Sequence, residues 1–172
     1  PARTYSLPLG FNPTASQWTI GGQAYPMAAP LPVSTGEEVR FVMANMTPFP
    51  HPMHLHGHTF RLHGTAGGSA NPVLKDTVLI PSPMMGGPGM GGGGMGGPGM
   101  GGPPTVTFDF LANAPGRWPF HCHNIYHADS GMLRLIQYVN GDADGDGLSD
   151  QIDDEATDSH PVLTTSGGYA PG

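Results

Sequence analysis

The histidines of this chain are concentrated around its only cysteine, and this distribution constrains the structure more than any other sequence feature. Eight of the nine histidines lie between residues 51 and 127. Successive side chains of an extended strand point to opposite faces, so residues two apart share a face. His54 and His56 can therefore aim at one metal centre. In the segment His121–His123 the two imidazoles point one way and the cysteine thiol the other, so that one short segment can serve two metal sites.

The second histidine cluster continues into a spacing typical of copper ligands. Cys122, His127 and Met132 follow the pattern C-x4-H-x4-M. With His51 from the first cluster they provide two imidazoles, a thiolate and a thioether, which is the ligand set of a blue-copper site. A structural zinc site would normally use more thiolates. The other histidines are expected to be solvent-facing side chains without a ligand role: His58, His63 and His160.

The segments around these clusters indicate β-strands. The runs Val39–Asn45, Thr105–Phe110 and Met132–Tyr138 are short, rich in β-branched and aromatic residues, and partly alternating. Proline and glycine separate them, and no window repeats apolar residues at helical spacing between caps. An all-β sandwich or barrel is therefore favoured over an α/β fold.

Glycine and proline are concentrated in one insert. Residues 81–104 hold 12 glycines, 6 prolines, 5 methionines and one serine. Glycine spacers prevent a packed core, so the segment is expected to be a long loop joining Ile80 to Thr105. Thioethers are soft ligands that favour Cu(I), so the loop either captures copper or is simply a low-complexity connection.

The charge is equally uneven. The net charge of −7 arises in the last segment, because residues 1–140 carry six basic and five acidic side chains whereas residues 141–172 carry eight acidic and no Lys or Arg. With no basic patch, nucleic-acid binding is not expected. No apolar run approaches the ~18 residues that span a bilayer. A single cysteine also excludes an intramolecular disulfide.

The acidic tail contains a spacing that resembles a calcium-binding loop. Its acids occupy loop positions 1, 3, 5, 9 and 12, with glycine at position 6. The candidate calcium ligands are Asp142, Asp144, Asp146, Asp150 and Asp153. The other reading is a solvated acidic tail. Such aspartate loops are typical of secreted bacterial proteins, so an extracytoplasmic location, periplasmic or secreted, is predicted.

The two histidine motifs resemble those of a known family. His-Pro-x-His-x-His-Gly beginning at residue 51 and His-Cys-His-x3-His-x3-Gly-Met beginning at residue 121 are similar to the copper motifs in the C-terminal cupredoxin domain of multicopper oxidases, the laccase, ascorbate oxidase and cuprous oxidase family. Residues 18–25 and 74–78 resemble further family segments. The resemblance implies a Greek-key cupredoxin β-sandwich over residues 1–140, followed by the tail at 141–172.

The resemblance also implies a role for each ligand. It makes His51, Cys122 and His127 ligands of a type 1 copper, with Met132 axial. His54 would bind a type 2 copper, and a type 3 pair would be bound by His56, His121 and His123. The activity implied is oxidation of a small reducing substrate or metal ion at type 1 copper. Electrons would pass through Cys122 to His121 and His123, where dioxygen is reduced to water.

Two departures from the family pattern shape these expectations. The family's cluster takes four more histidines from an N-terminal cupredoxin domain with two further His-x-His motifs, which this sequence lacks. The chain is therefore expected to be a fragment, a processed subunit, or one member of an assembly whose partner supplies them. Ala128 also stands where relatives often have a proton-relaying glutamate, and Asp129 is the candidate substitute.

Other functions are compatible with part of the pattern. Copper-type nitrite reductase also pairs cupredoxin domains, but its motif puts a single type 2 histidine beside the cysteine, whereas here His121 and His123 flank Cys122. A stand-alone electron carrier would use type 1 copper only and would leave four histidines without a role. The reductant stays open among phenols, Cu(I), Mn(II) and Fe(II).

Overall fold

The computed structural model describes residues 1–63, 74–85 and 102–139, and in these ranges the chain is mostly β. One short helix, α1, covers Ile125–Asp129, and Pro83–Met85 form a single 3-10 turn. The strands are β1 Arg3–Ser6, β2 Leu9–Asn12, β3 Gln17–Ile20, β4 Leu31–Val33, β5 Glu38–Ala44, β6 His51–Leu55, β7 Phe60–Leu62, β8 Leu74–Lys75, β9 Thr77–Ile80, β10 Thr105–Leu111, β11 Arg117–Cys122 and β12 Leu133–Tyr138. The three predicted strands are confirmed to within one residue at each end.

The strands form two five-stranded sheets and one hairpin. The first sheet has the order β1-β5-β10-β7-β8, and the second has the order β4-β12-β11-β6-β9. Strands β2 and β3 pair separately. Within the first sheet β1 runs parallel to β5, and within the second β4 runs parallel to β12, while the other neighbours are antiparallel.

An apolar core lies between the two sheets. Alternate side chains of β5 are buried, as expected for a strand with one face on the core. The ring centroid of Phe41 on β5 lies 5.4 Å from that of Phe108 on β10 and 5.1 Å from that of Phe120 on β11. Each such ring contributes about 1.5–3 kcal/mol when fully buried. The aromatic cluster therefore joins the two sheets into a β-sandwich.

The second sheet brings the two histidine motifs together. Strand β11 lies between β6 and β12, and its last residues pair with β6 in the register His121 to His54 and Cys122 to Met53. Helix α1 follows directly after β11. Sequence segments far apart in the chain thus meet at one end of this sheet.

Two predicted regions lie outside the described residues. The central part of the insert, 86–101, is one, and the segment 140–172 with all five candidate calcium ligands is the other. The loop, the tail and the boundary between domain and tail therefore stay predictions. Within the described ranges, no helix has the length and apolar character needed to cross a membrane.

Candidate metal centres

Three side chains predicted as copper ligands converge in the interior. We call His51, Cys122 and His127 the type 1 cluster. Cys122 Sγ lies 3.8 Å from Nδ1 of His51 and 3.6 Å from Nδ1 of His127. The two Nδ1 atoms are 3.1 Å apart, and all three residues are buried. The residues come from the start of β6, the end of β11 and the middle of α1, so that three different elements fix the geometry.

The chain between Cys122 and Met132 folds back on itself. The Met132 amide donates to the His127 carbonyl at 2.8 Å, and the Cys122 amide donates to the Met132 carbonyl at 3.1 Å. Met132 is fully buried. The spacing C-x4-H-x4-M therefore reflects one tight loop, while the axial role of the thioether stays a prediction.

A hydrogen-bond network that the sequence did not reveal fixes the ring of His51. Its Nε2–H donates to the hydroxyl oxygen of Thr47 at 2.6 Å, and that hydroxyl donates to Asn45 Oδ1 at 2.9 Å. The Asn45 amide nitrogen in turn donates to the carbonyl of Phe49 at 2.7 Å. With Nε2 engaged, Nδ1 of His51 presents its lone pair to the cluster.

Burial keeps the metal-free type 1 cluster uncharged. It lowers the pKa of His51 to about 4, with a smaller contribution from His127, and it also lowers the pKa of His127. Burial raises the pKa of the Cys122 thiol. Neutral imidazoles are the ligand form of histidine, and a bound metal ion favours loss of the thiol proton. Two imidazole nitrogens and one sulfur converging in an apolar interior fit a copper ion of the type 1 kind.

The other four predicted ligands gather on the opposite face of β11. We call His54, His56, His121 and His123 the open histidine cluster. Ring centroids are 4.6 Å apart for His54 and His56 and 5.8 Å apart for His121 and His123. Nε2 of His56 lies 3.0 Å from Nε2 of His121. His123 is exposed, and the other three are half-buried.

Backbone carbonyls orient two of these rings. Nδ1–H of His54 donates to the Asp76 carbonyl at 3.0 Å, and Nδ1–H of His121 donates to the Cys122 carbonyl at 2.9 Å. Each ring therefore turns its Nε2 lone pair away from the backbone. His54 and His56 line an open depression of about 450 Å³, which Asp76 and Asn113 also line.

His58 does not face solvent, and the expectation that it would is wrong. It is buried, its Nδ1–H donates to the His56 carbonyl at 2.9 Å, and its Nε2 accepts from the Tyr138 hydroxyl at 2.7 Å. Burial lowers its pKa. His63 is partly exposed, and its Nε2 lies 2.6 Å from Asp109. His160 lies outside the described residues.

Asp129 lies at the end of α1 and is exposed. The acidic residue that lines the depression beside His54 and His56 is Asp76. In the sequence Asp76 belongs only to the family-like segment 74–78, and the hydrogen bond that its carbonyl accepts from the Leu55 amide, beside the pairing of β6 with β9, is a tertiary feature. The role of Asp129 in proton delivery stays a prediction.

Comparisons with known proteins identify the family to which the chain belongs. The sequence profile described as multicopper oxidase matches residues 3–86 and 99–142. The chain belongs to the multicopper oxidase family. The match is to the C-terminal cupredoxin domain, as the histidine motifs predicted.

Two relatives illustrate how much of a multicopper oxidase this chain represents. It is 32% identical over 142 residues to the multicopper oxidase MmcO of Mycobacterium tuberculosis, covering 81% of this chain and 24% of MmcO. It is 34% identical over 137 residues to a copper resistance protein A homolog of Pseudomonas syringae pv. tomato, covering 80% of this chain and 20% of that protein. The chain thus spans about a quarter or less of these relatives.

A solved structure supports the fold. The McoA multicopper oxidase of the hyperthermophile Aquifex aeolicus matches with a TM-score of 0.57 and 22% identity, over 80% of this chain and 29% of that one. The two sheets therefore form a cupredoxin-like sandwich. This multicopper oxidase domain carries a type 1 copper-like site in its interior.

Proposed function

We propose that this chain is the electron-accepting domain of a copper-dependent oxidase, and that it supplies half of the copper cluster at which dioxygen is reduced to water. One observation carries the proposal. The type 1 cluster and the open histidine cluster lie on opposite faces of β11 and are joined covalently, because Cys122 is bonded through the backbone to His121 and His123. A short path through covalent bonds favours electron transfer between two such sites.

The type 1 cluster has the donor set for one-electron chemistry. Copper held there would accept one electron at a time from a reducing substrate and pass it on. The residues provide two neutral imidazoles and a thiol shielded from water. The hydrogen bond from His51 to Thr47 keeps one of the imidazoles in its ligand tautomer.

The open histidine cluster is suited to sharing metal ions with another domain. Four imidazoles are too few to hold three copper ions, and none of the four is fully buried. The coverage of about a quarter or less of MmcO and the copper resistance protein A homolog supports a partner domain or chain. We propose that a cupredoxin domain with two His-x-His motifs docks on this face and completes the site for dioxygen.

The reducing substrate would approach the other side of the type 1 cluster. A groove of about 370 Å³ is lined there by uncharged side chains: Phe11, Trp18, Met46, Thr47, Pro48 and Phe49. Trp18 and Phe49 are also neighbours of His127. An apolar, aromatic groove favours an uncharged aromatic reductant such as a phenol over the metal ions Cu(I), Mn(II) and Fe(II).

We further propose that the protein works outside the cytoplasm and that its tail binds calcium. The support is the spacing of Asp142, Asp144, Asp146, Asp150 and Asp153, which suits the millimolar calcium of extracellular fluids. Titration of the chain with calcium, measured by calorimetry, tests the calcium proposal. Absence of binding at millimolar calcium would refute that proposal.

Copper analysis and oxygen uptake test the main proposal. The isolated chain is expected to hold about one tightly bound copper, to show an intense blue band, and to reduce no oxygen. Adding a domain with two His-x-His motifs should increase the copper content and, with a phenol present as the electron donor, should start oxygen uptake that yields water.

A matched variant separates the two clusters in this experiment. His123→Ala is expected to keep the blue band and to abolish both partner-dependent changes. Three or more tightly bound coppers on the isolated chain, together with water-forming turnover, would show that it completes its own cluster. A blue chain that gains neither copper nor oxygen uptake with the partner would instead support the stand-alone electron carrier.

A further inference from the structure

The two imidazoles of the type 1 cluster are held in different ways. His51 is oriented by the 2.6 Å hydrogen bond from its Nε2–H to Thr47. Nε2 of His127 has only the side-chain nitrogen of Asn124 nearby among the described residues, at 3.5 Å. With Nδ1 of His127 directed at the cluster, Nε2 carries the proton, and the Asn124 side-chain nitrogen is also a donor, so this contact does not fix the ring. Something else must define the orientation of His127.

The helix that carries His127 offers little rigidity of its own. Helix α1 has five residues, too few for a helix to be stable alone. The side-chain oxygen of Asn124 already accepts from the Tyr126 amide at 3.1 Å, as its N-cap. That oxygen is therefore engaged and does not orient the imidazole. The ring needs support from outside its own helix.

Trp18 provides that support. Its ring centroid lies 4.0 Å from that of His127 with a 35° angle between the planes, so the indole covers one face of the imidazole. The same indole lies 5.5 Å from His51 at 66°, an edge contact. Aromatic contacts of this kind contribute about 0.5–1.5 kcal/mol beyond area burial. One side chain thus packs against both imidazoles of the cluster.

The backbone keeps Trp18 in register with the loop after α1. The Trp18 amide donates to the Ser130 carbonyl at 2.9 Å, and the Tyr25 amide donates to the Gly131 carbonyl at 3.0 Å. Gly131 has φ of +114°, and a Cβ there would lie 2.8 Å from the Trp18 carbonyl oxygen. The close approach therefore requires glycine at this position. Strand β3 and the His127 loop form one unit.

We propose that Trp18 is a positioning residue for the copper ligand His127, serving that imidazole as Thr47 serves His51. The indole fixes the ring plane and keeps water from its face. The proposal rests on the proposed function in so far as it assigns copper to this cluster. Removing the indole would admit water, which favours the more highly charged oxidised form, and would lower the reduction potential of the site.

The metal-free chain provides the first test. The chain has two tryptophans, and the second, Trp118, packs near Gly57 and His58 and is a matched control. Nuclear magnetic resonance should show the ring protons of His127 shifted upfield by the indole. Trp18→Leu, which keeps apolar bulk, should abolish this shift. Trp18→Phe should retain part of it, and Trp118→Phe should leave it unchanged.

The copper-loaded chain provides the second test. In Trp18→Leu the ratio of Cu(I) to Cu(II) affinity is expected to fall by about tenfold, roughly the size of one lost aromatic contact. In Trp18→Phe this affinity ratio should stay close to that of the native chain. Thermal unfolding of each variant distinguishes a local effect from loss of the fold.

The outcomes that contradict the proposal are distinct from those that contradict the function. Folded Trp18→Leu with native His127 resonances and native affinities would overturn the positioning role, as would an equal change in Trp118→Phe. A native chain that never becomes blue would overturn the copper assignment, while the metal-free resonances would still report whether Trp18 orients His127.

Discussion

The type 1 cluster and the open histidine cluster use the same strand but differ in how their ligands are enclosed. His51 and Cys122 are fully buried, and His127 is 7% exposed. In the open cluster no imidazole is fully buried, and His123 is exposed. Alternation along β11 sends its side chains to both regions. The same strand therefore supplies ligands to both clusters. The difference in ligand burial arises from the layers that cover each face of the sheet.

This contrast indicates which of the two ligand sets a single domain can complete by itself. The inner face of the sheet is covered by β3, α1 and the Thr47 network, so a complete ligand set forms from the chain's own residues. The outer face has no comparable cover among the described residues, and His54 and His56 line an open depression there. We therefore expect changes at one cluster to leave the other largely unaffected, and the following variants test that independence.

Cys122→Ser should have the largest effect. A hydroxyl cannot replace the thiolate donor, so the intense blue absorption and substrate oxidation should be lost while the chain stays folded. Visible absorption measures the loss of the blue band, and circular dichroism shows whether the chain stays folded. Weak metal binding at the open histidine cluster, measured by titration with Zn²⁺, should be the same as in the native chain. Retention of the blue band in this variant would refute the copper assignment.

Thr47→Val should have an intermediate effect on the type 1 cluster. Losing the hydrogen bond that orients a ligand typically costs about 10–100-fold in metal affinity, and copper competition titration would measure it. Thr77→Val is the matched control, because Thr77 Oγ1 lies 3.0 Å from Nδ1 of His54 in the open cluster. That nitrogen also has the Asp76 carbonyl as acceptor, so His54 should keep its orientation in this variant. Copper affinity at the type 1 cluster should stay native, because the Thr77 hydroxyl bonds to the open histidine cluster. Equal losses in both variants would contradict independent clusters.

Asp109→Asn should have the smallest effect, and only on stability. Hydrogen bonds from Arg40 on the outer side of the first sheet hold the pKa of Asp109 below its ordinary value of 3.8, with His63 adding to the shift. The native ion pair therefore stabilises the fold above pH ~3.8, and this stabilisation is lost as pH falls through the lower, folded-state pKa. The free energy of unfolding of the variant should be lower by about 1 kcal/mol at neutral pH. It should also decrease less steeply than that of the native chain as the pH falls.

Urea unfolding from pH 2 to pH 7 measures that difference. Copper content and the blue band should not change in Asp109→Asn, because Asp109 contacts neither cluster in the described structure. If a stability loss of this size also weakened copper binding, the effects of Thr47→Val and Trp18→Leu could no longer be interpreted as local.

The local part of each candidate ligand set could be predicted from the sequence because it depends on spacing along one strand or one loop. The opposite orientation of Cys122 and its two neighbours follows from strand periodicity alone, and the loop from Cys122 to Met132 is a continuous segment. The strands were predictable for the same reason, since β5, β10 and β12 carry β-branched and aromatic runs.

The supporting contacts could not be predicted because they join distant segments. The stack of Trp18 on His127 requires the β2–β3 hairpin to pack on the loop after α1, and no local pattern encodes that docking. His58 is expected to face solvent because its place in the sequence gives no sign of Tyr138, its partner on β12. Polarity alone does not distinguish a satisfied buried imidazole from an exposed one.

The register of β11 limits where the chain can tolerate insertions and deletions. Because side chains alternate, sliding a strand by one residue moves every side chain to the opposite face. A single-residue change in the connection 112–116, if absorbed by β11, would place the thiol among the outer imidazoles and a histidine in the apolar interior. The pairings of His121 with His54 and with Leu133 oppose such a slip from both sides. Length variation is therefore expected to be excluded from the short connection that enters β11, whereas the long 81–104 segment can vary without changing which cluster each ligand serves.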